Sequence, residues 1–188
     1  MALSKEESYT IEDIYALPDG ERAELIDGHI YYMAPPTYKH QKIVMELSAS
    51  IRNYIKQHKG SCEVIPAPFA VHLDEASNTY VEPDISVICD KNKLDDNGCN
   101  GAPDWIIEIV SPSSKKMDYL LKLFKYRSAG VREYWIALPI YWIVDAAKNR
   151  IMVYNFEHDS IEDYSFSDTI KAGIYEDLSI DFSEIDVM

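Results

Sequence analysis

Two acids in the middle of the chain could do chemistry together. Asp84 lies in VEPDISVICD and Glu108 in APDWIIEIVS, both short apolar runs of strand type. The stretch between them, KNKLDDNGCNG, has the Asp, Asn and Gly of a surface turn. Two strands joined this way predict an antiparallel hairpin. Its centre falls near residue 96, twelve residues from each acid, so Asp84 and Glu108 should face one another. Alternation groups Asp84 with Ser86 and Ile88, and Glu108 with Ile106 and Val110. Like charges directly opposed destabilise a sheet, and an acid set between Ile107 and Ile109 is costly without a partner. A hard divalent cation held by oxygen ligands would satisfy both. The competing reading is a Pro-Asp turn and a solvent-facing edge Glu.

A cationic helix follows at once. SPSSKKMDYLLKLFKYRSAGV starts with helix-opening residues and has no breaker before Gly130, with Ser113 or Ser114 as N-cap and Gly130 as C-cap glycine. Asp118, Lys122 and Tyr126 recur at i, i+4 and i+8 and share a face. The wheel alone does not choose between Lys122 and Lys125, because apolar residues surround the helix. Lys122 could also do no more than pair with Asp118 along the helix.

The succession P-D, E-I-V-S-P-S-S, D-Y-L-L-K-L-F-K-Y and A-G-V-R-E-Y-W, with E-L-I-D-G-H-I at 24–30 and His40-Gln41 upstream, resembles the Uma-type family of proposed restriction endonucleases. That family is placed in the PD-(D/E)XK nuclease superfamily. The resemblance covers roughly residues 10 to 155. It implies a restriction-endonuclease-like α/β fold of mixed α+β type: a central mixed sheet, a β-hairpin carrying the acids, and flanking helices. It implies a Mg²⁺ or Mn²⁺ site on Asp84, Glu108 and the backbone carbonyl of Ile109, and hydrolysis of phosphodiester bonds in nucleic acid, with DNA foremost. The last residue of the E-x-K triplet is Val110 rather than lysine, and Lys122 matches a lysine displaced onto the next helix. Glu24, His40, Asp118 and Tyr126 are accessory candidates. Glu24 could equally be an exposed strand acid, and His40 a packing or capping residue. On this reading Lys122→Ala should abolish metal-dependent cleavage while leaving Mn²⁺ binding and folding nearly unchanged, and Lys125→Ala should keep most of the activity. The alternative function is a catalytically silent nuclease fold that binds or regulates a partner.

The 188 residues are expected to form one domain, with a core at about 10–155 and acidic strands or tail at 157–188. Thr10 and Asp13 form a capping-box pattern ahead of a short helix that ends before Pro18. Asp27-Gly28 reads as a hairpin turn. Ile43, Leu47, Ile51 and Ile55 mark an amphipathic helix over 39–58, and a strand bent at Pro66 and Pro68 should follow over 62–73. Tyr134-Trp135-Ile136 recurs as Tyr141-Trp142-Ile143, so either copy could enter the sheet. The same aromatic segment offers apolar surface for a homodimer.

No apolar run suffices to span a bilayer, and the N-terminus has no secretion-signal pattern, so a cytoplasmic protein without membrane attachment is expected. Cys62, Cys89 and Cys99 read as free thiols. The net charge of −14 argues against general affinity for DNA. Residues 157–188 supply ten acids and one lysine, or −9 of that total. The basic cluster Lys115, Lys116, Lys122, Lys125 and Arg127 beside the acids offsets the objection.

Overall fold

The computed structural model describes residues 8–74, 79–110, 117–138 and 150–185. The first helix, α1 (Ile11–Tyr15), is opened by Thr10, whose backbone N–H donates to Asp13 Oδ2 at 2.7 Å. β1 (Ala23–Ile26) and β2 (His29–Tyr32) form a hairpin turning at Asp27 and Gly28, both at positive φ as its geometry demands. α2 (Tyr38–Gln57) buries Ile43, Val44, Leu47, Ile51 and Ile55, the predicted stripe. The segment expected as one bent strand is two. β3 (Glu63–Pro66) and β4 (Val71–Asp74) belong to different sheets, because Pro66 and Pro68 interrupt any shared ladder.

The acid-bearing strands are β6 (Ile85–Ile88), preceded by β5 (Thr79–Val81), and β9 (Trp105–Ile109). They pair antiparallel with Ile85 opposite Ile107, and the register carried one residue further sets Asp84 opposite Glu108. The loop between them is more than a turn. β7 (Leu94–Asp95) and β8 (Gly98–Asn100) make a small hairpin whose second strand runs parallel to β4, burying Gly98 and Cys99. After β9 comes a π-helical turn, Met117–Lys122, which runs into α3 (Leu123–Ala129) and stops at Gly130, φ +95°. The candidate N-caps Ser113 and Ser114, with Lys115 and Lys116, lie outside the described residues.

β10 (Glu133–Leu138) returns parallel to β9, followed by the antiparallel β11 (Arg150–Asn155) and β12 (Ser160–Ser165). The first aromatic copy, Tyr134-Trp135-Ile136, is therefore a fully buried central strand. This removes it as dimer surface, since a strand paired on both edges has no free face left once both faces are packed. The second copy, Tyr141–Ile143, lies outside the described residues. One mixed sheet thus runs β12-β11-β10-β9-β6-β3, and a second runs β2-β1-β5-β4-β8-β7. The fold is restriction-endonuclease-like.

Each face of the first sheet has its own core. On one side Val87, Trp105, Ile107, Trp135 and Val153 pack against α2 and the C-terminal hairpin β13 (Thr169–Lys171) and β14 (Ser179–Asp181). On the other, Ile88, Ile106, Val110, Tyr134 and Ile136 pack against Ile26, Val71 and Val81 of the second sheet and Tyr126 of α3. The C-terminal segment is acidic outside but contributes Phe166, Ile170, Leu178, Ile180 and Phe182 to the first core.

Glu133 ties that segment down. It is fully buried and accepts hydrogen bonds from Trp135 Nε1 (2.6 Å) and the Ile174 backbone N–H (2.8 Å). Gly173 approaches so closely that a Cβ there would lie 2.9 Å from Glu133 Oε2. Burial raises the carboxyl's pKa above its ordinary 4.5, although these hydrogen bonds oppose the shift. A carboxyl with a raised folded pKa contributes stability below its unfolded pKa and loses it as pH rises through the folded one. Glu133→Gln does not titrate, so the variant should gain on the wild type in urea unfolding as pH rises above the ordinary 4.5. A difference that stays flat, or moves the other way, would contradict this account of Glu133.

The cysteines depart from expectation. Cys62 and Cys89 are joined in a disulfide, and Cys99 alone is free and buried. The pairing Glu63 opposite Ile88 continues to Cys62 opposite Cys89, so register brings the two sulfurs together. Burial pushes the Cys99 thiol up to about 11, which leaves it unreactive. No helix among the described residues is long and apolar enough to cross a membrane.

Candidate active site

Glu108 lies on the face of β9 that looks toward the second sheet and is 5% exposed. Two groups from the helix meet its Oε1: Lys122 Nζ at 2.9 Å and the Tyr126 hydroxyl at 2.9 Å. The four-residue spacing of Lys122 and Tyr126 on one helical face makes this double contact possible. Burial, then the charge of Glu108, hold the Tyr126 phenol well above its ordinary pKa, so it stays a neutral donor. Of the accessory candidates, Asp118 sits in the π-helical turn, but its side chain lies outside the described part of the structure.

Glu24 reaches the same ammonium from the other sheet. It is 4% exposed, with Oε1 2.9 Å from Lys122 Nζ and 2.9 Å from the donating N–H of Glu82. Alternation along β1 explains its aim, since Glu24 and Ile26 face the first sheet while Ala23 and Leu25 face α1. Glu24 is therefore not an exposed strand acid. Lys122 is buried between two carboxylates, far from the solvated position in which its removal would leave folding unchanged. Loss of Lys122 should therefore destabilise the fold.

Asp84 stands at the mouth of this cluster with its side chain 15% exposed. Its Oδ2 accepts the Ile109 N–H at 2.7 Å and lies 3.1 Å from His40 Nε2. Among the described residues no group donates to Oδ1. His40 is the third residue of α2, with its own N–H 3.2 Å from the capping Thr37 hydroxyl. Burial disfavours its protonated ring, but the hydrogen bond and charge of Asp84 outweigh this, with help from Gln41 and the Ile109 backbone, so its pKa is raised.

The structure therefore brings Asp84, Glu108, Lys122, Tyr126, Glu24, His40 and the Ile109 backbone to one place. Among the described residues no three His, Cys, Asp or Glu side chains close to metal-binding distance. The donor set nevertheless fits a hard divalent cation. Among the described residues it offers carboxylate and amide oxygens, an Asp84 oxygen without a donor, and the three acids Asp84, Glu108 and Glu24 beside Lys122. Sequence reasoning missed Glu82, whose backbone holds Glu24 and whose own carboxylate is taken by Arg22 Nε (2.9 Å) and the Tyr80 hydroxyl (2.8 Å). Its position two residues before Asp84 was the available signal. The described members of the basic cluster are also paired internally, Lys122 with Glu24 and Glu108, Lys125 with Asp27 and Arg127 with Asp159.

The fold places the protein in the restriction-endonuclease-like class. The chain belongs to the Uma2 family, described as "Putative restriction endonuclease", whose model matches residues 11–182. It is similar to slr1290, an uncharacterized protein of Synechocystis sp., at 30% identity over 98 residues. That match covers 52% of this chain and 50% of the relative, so the chain spans about half the length of that protein. A crystal structure from Anabaena variabilis, described as "a putative nuclease belonging to DUF820", superimposes with a TM-score of 0.72. It shares 20% identity, and the match covers 94% of this chain and 96% of that one. The family supports nuclease chemistry as the general class, and restriction-endonuclease-like proteins are in general metal-dependent.

Proposed function

We propose that the protein is a metal-dependent endonuclease that hydrolyses phosphodiester bonds in nucleic acid, DNA foremost. The observation that carries this reading is the register opposition of Asp84 and Glu108, with a buried lysine fixed on the second acid. Asp84, Glu108 and the Ile109 carbonyl would hold Mg²⁺ or Mn²⁺, with Glu24 as an accessory acid. When bound, such an ion lowers the pKa of a coordinated water and offsets charge on the phosphate. Tyr126 and Lys122 orient Glu108 by donating to its Oε1. Lys122 then supplies positive charge toward the scissile phosphate in a largely dry setting, where such a charge acts strongly. The one domain and cytoplasmic setting expected from the sequence belong to this same proposal, as does a homodimer, though not one formed through the buried Tyr134–Ile136.

A second reading, a silent nuclease fold that binds or regulates a partner, draws on the net charge of −14 and on the pairing of Lys125 and Arg127 with acids. One experiment separates the two. The protein is incubated with supercoiled, linear and single-stranded DNA, and with RNA, in Mg²⁺ or Mn²⁺, with an EDTA control. Cleavage that EDTA abolishes is expected. No cleavage of any substrate, despite a Mn²⁺-dependent rise in Tm, would favour the silent fold.

A further inference from the structure

We propose that His40 is a positioning residue, which fixes Asp84 Oδ2 through an Nε2–H hydrogen bond so that Oδ1 is the oxygen presented to the metal. The inference rests on the metal-dependent reading above.

Three observations lead to it. Asp84 Oδ2 already accepts the Ile109 N–H at 2.7 Å, and the ring nitrogen at 3.1 Å provides the second donor to that same atom. Oδ1 receives no donor among the described residues, so the two oxygens of one carboxylate are differentiated. The far ring nitrogen, Nδ1, is buried and has no hydrogen-bond partner among the described residues. With Nε2 facing a carboxylate oxygen, the proton is assigned to Nε2. Direct ligation by Nε2 is the weaker alternative, since that nitrogen is turned onto Asp84 and hard cations take oxygen ligands.

The backbone makes this placement rigid. Thr37 caps α2 and receives the His40 N–H, and the next residues along the helix are locked by the buried stripe beginning at Ile43. The imidazole thus transmits the position of α2 to the end of β6. Residues that orient a ligand in this way typically contribute 10–100-fold to metal affinity.

The test is Mn²⁺ affinity, followed by the electron paramagnetic resonance signal of free Mn²⁺, together with urea stability in EDTA. His40→Ala should weaken binding by about 10–100-fold. His40→Gln puts an amide nitrogen as many bonds from Cβ as Nε2 and should restore affinity close to wild type. His40→Asn puts it at the Nδ1 position and should bind as weakly as the Ala variant. Wild-type affinity in His40→Ala would overturn the positioning role and leave the metal site standing. A Gln variant as weak as Ala would overturn the donor role. No Mn²⁺ binding by the wild type would overturn both this inference and the reading on which it rests. Urea midpoints should not track the affinity series. If they do, the effect is one of folding and the proposal fails.

Discussion

In Glu108→Gln, the rise in Tm that Mn²⁺ induces in the wild type should vanish, and metal-dependent cleavage should fall by about a thousandfold. The substitution keeps the side chain's shape and removes its charge. Lys122 retains Glu24 at 2.9 Å, so the ammonium is not stranded and the fold should survive. Metal at about a hundred times its Kd adds about 2.7 kcal/mol to stability. For a chain of this size that is about 5–10 °C in Tm, well within reach of a thermal scan. Losing one of two charged ligands removes several kcal/mol of transition-state stabilisation, and about 4 kcal/mol corresponds to the thousandfold. A full Mn²⁺ response in the variant would show that Glu108 is no ligand. Cleavage lost together with the folded state would show that the acid is structural.

Lys122→Ala should unfold far more easily than the wild type in EDTA, by about 3–5 kcal/mol, and should lose cleavage. Its ammonium is the counter-charge for Glu24 and Glu108, both buried, and removing one partner of such a cluster leaves uncompensated charge in a dry place. A divalent ion between the same carboxylates would replace part of that charge. Mn²⁺ should therefore stabilise the variant more than it stabilises the wild type, even though the variant is inactive. Lys125→Ala is the control. Its partner Asp27 is half exposed, and a pair of that kind contributes up to about 1 kcal/mol. Urea titrations of both variants with and without Mn²⁺ decide the matter. Equal stability of Lys122→Ala and the wild type in EDTA would refute the buried triad.

Local chemistry was the legible part of this molecule. Thr10 with Asp13, Asp27-Gly28, the Ile43–Ile55 stripe and the Gly130 stop each act within a few residues, and each takes its expected form. The opposition of Asp84 and Glu108 followed from counting, because an antiparallel pair obeys one fixed sum of positions. What could not be read depends on contacts between distant segments. Cys62 meets Cys89 only because β3 takes the open edge beside β6. The loop between the acids hides a hairpin because its partner, β4, belongs to another sheet. Lys122 becomes buried through Glu24, almost a hundred residues away, and a helical wheel contains nothing about that.

The candidate site straddles both sheets, and this bears on how the chain folds. Glu24 belongs to one sheet and Glu108 to the other, with Lys122 pinned between them. Contacts of such high sequence separation close late, because loop entropy must be overcome before they form. The β9–helix–β10 unit can assemble from neighbouring residues, whereas the triad requires the whole of residues 24 to 122 to be in place. A nascent or partly folded chain therefore lacks the complete set of groups, and the final docking of the two sheets is also the step that completes the candidate site.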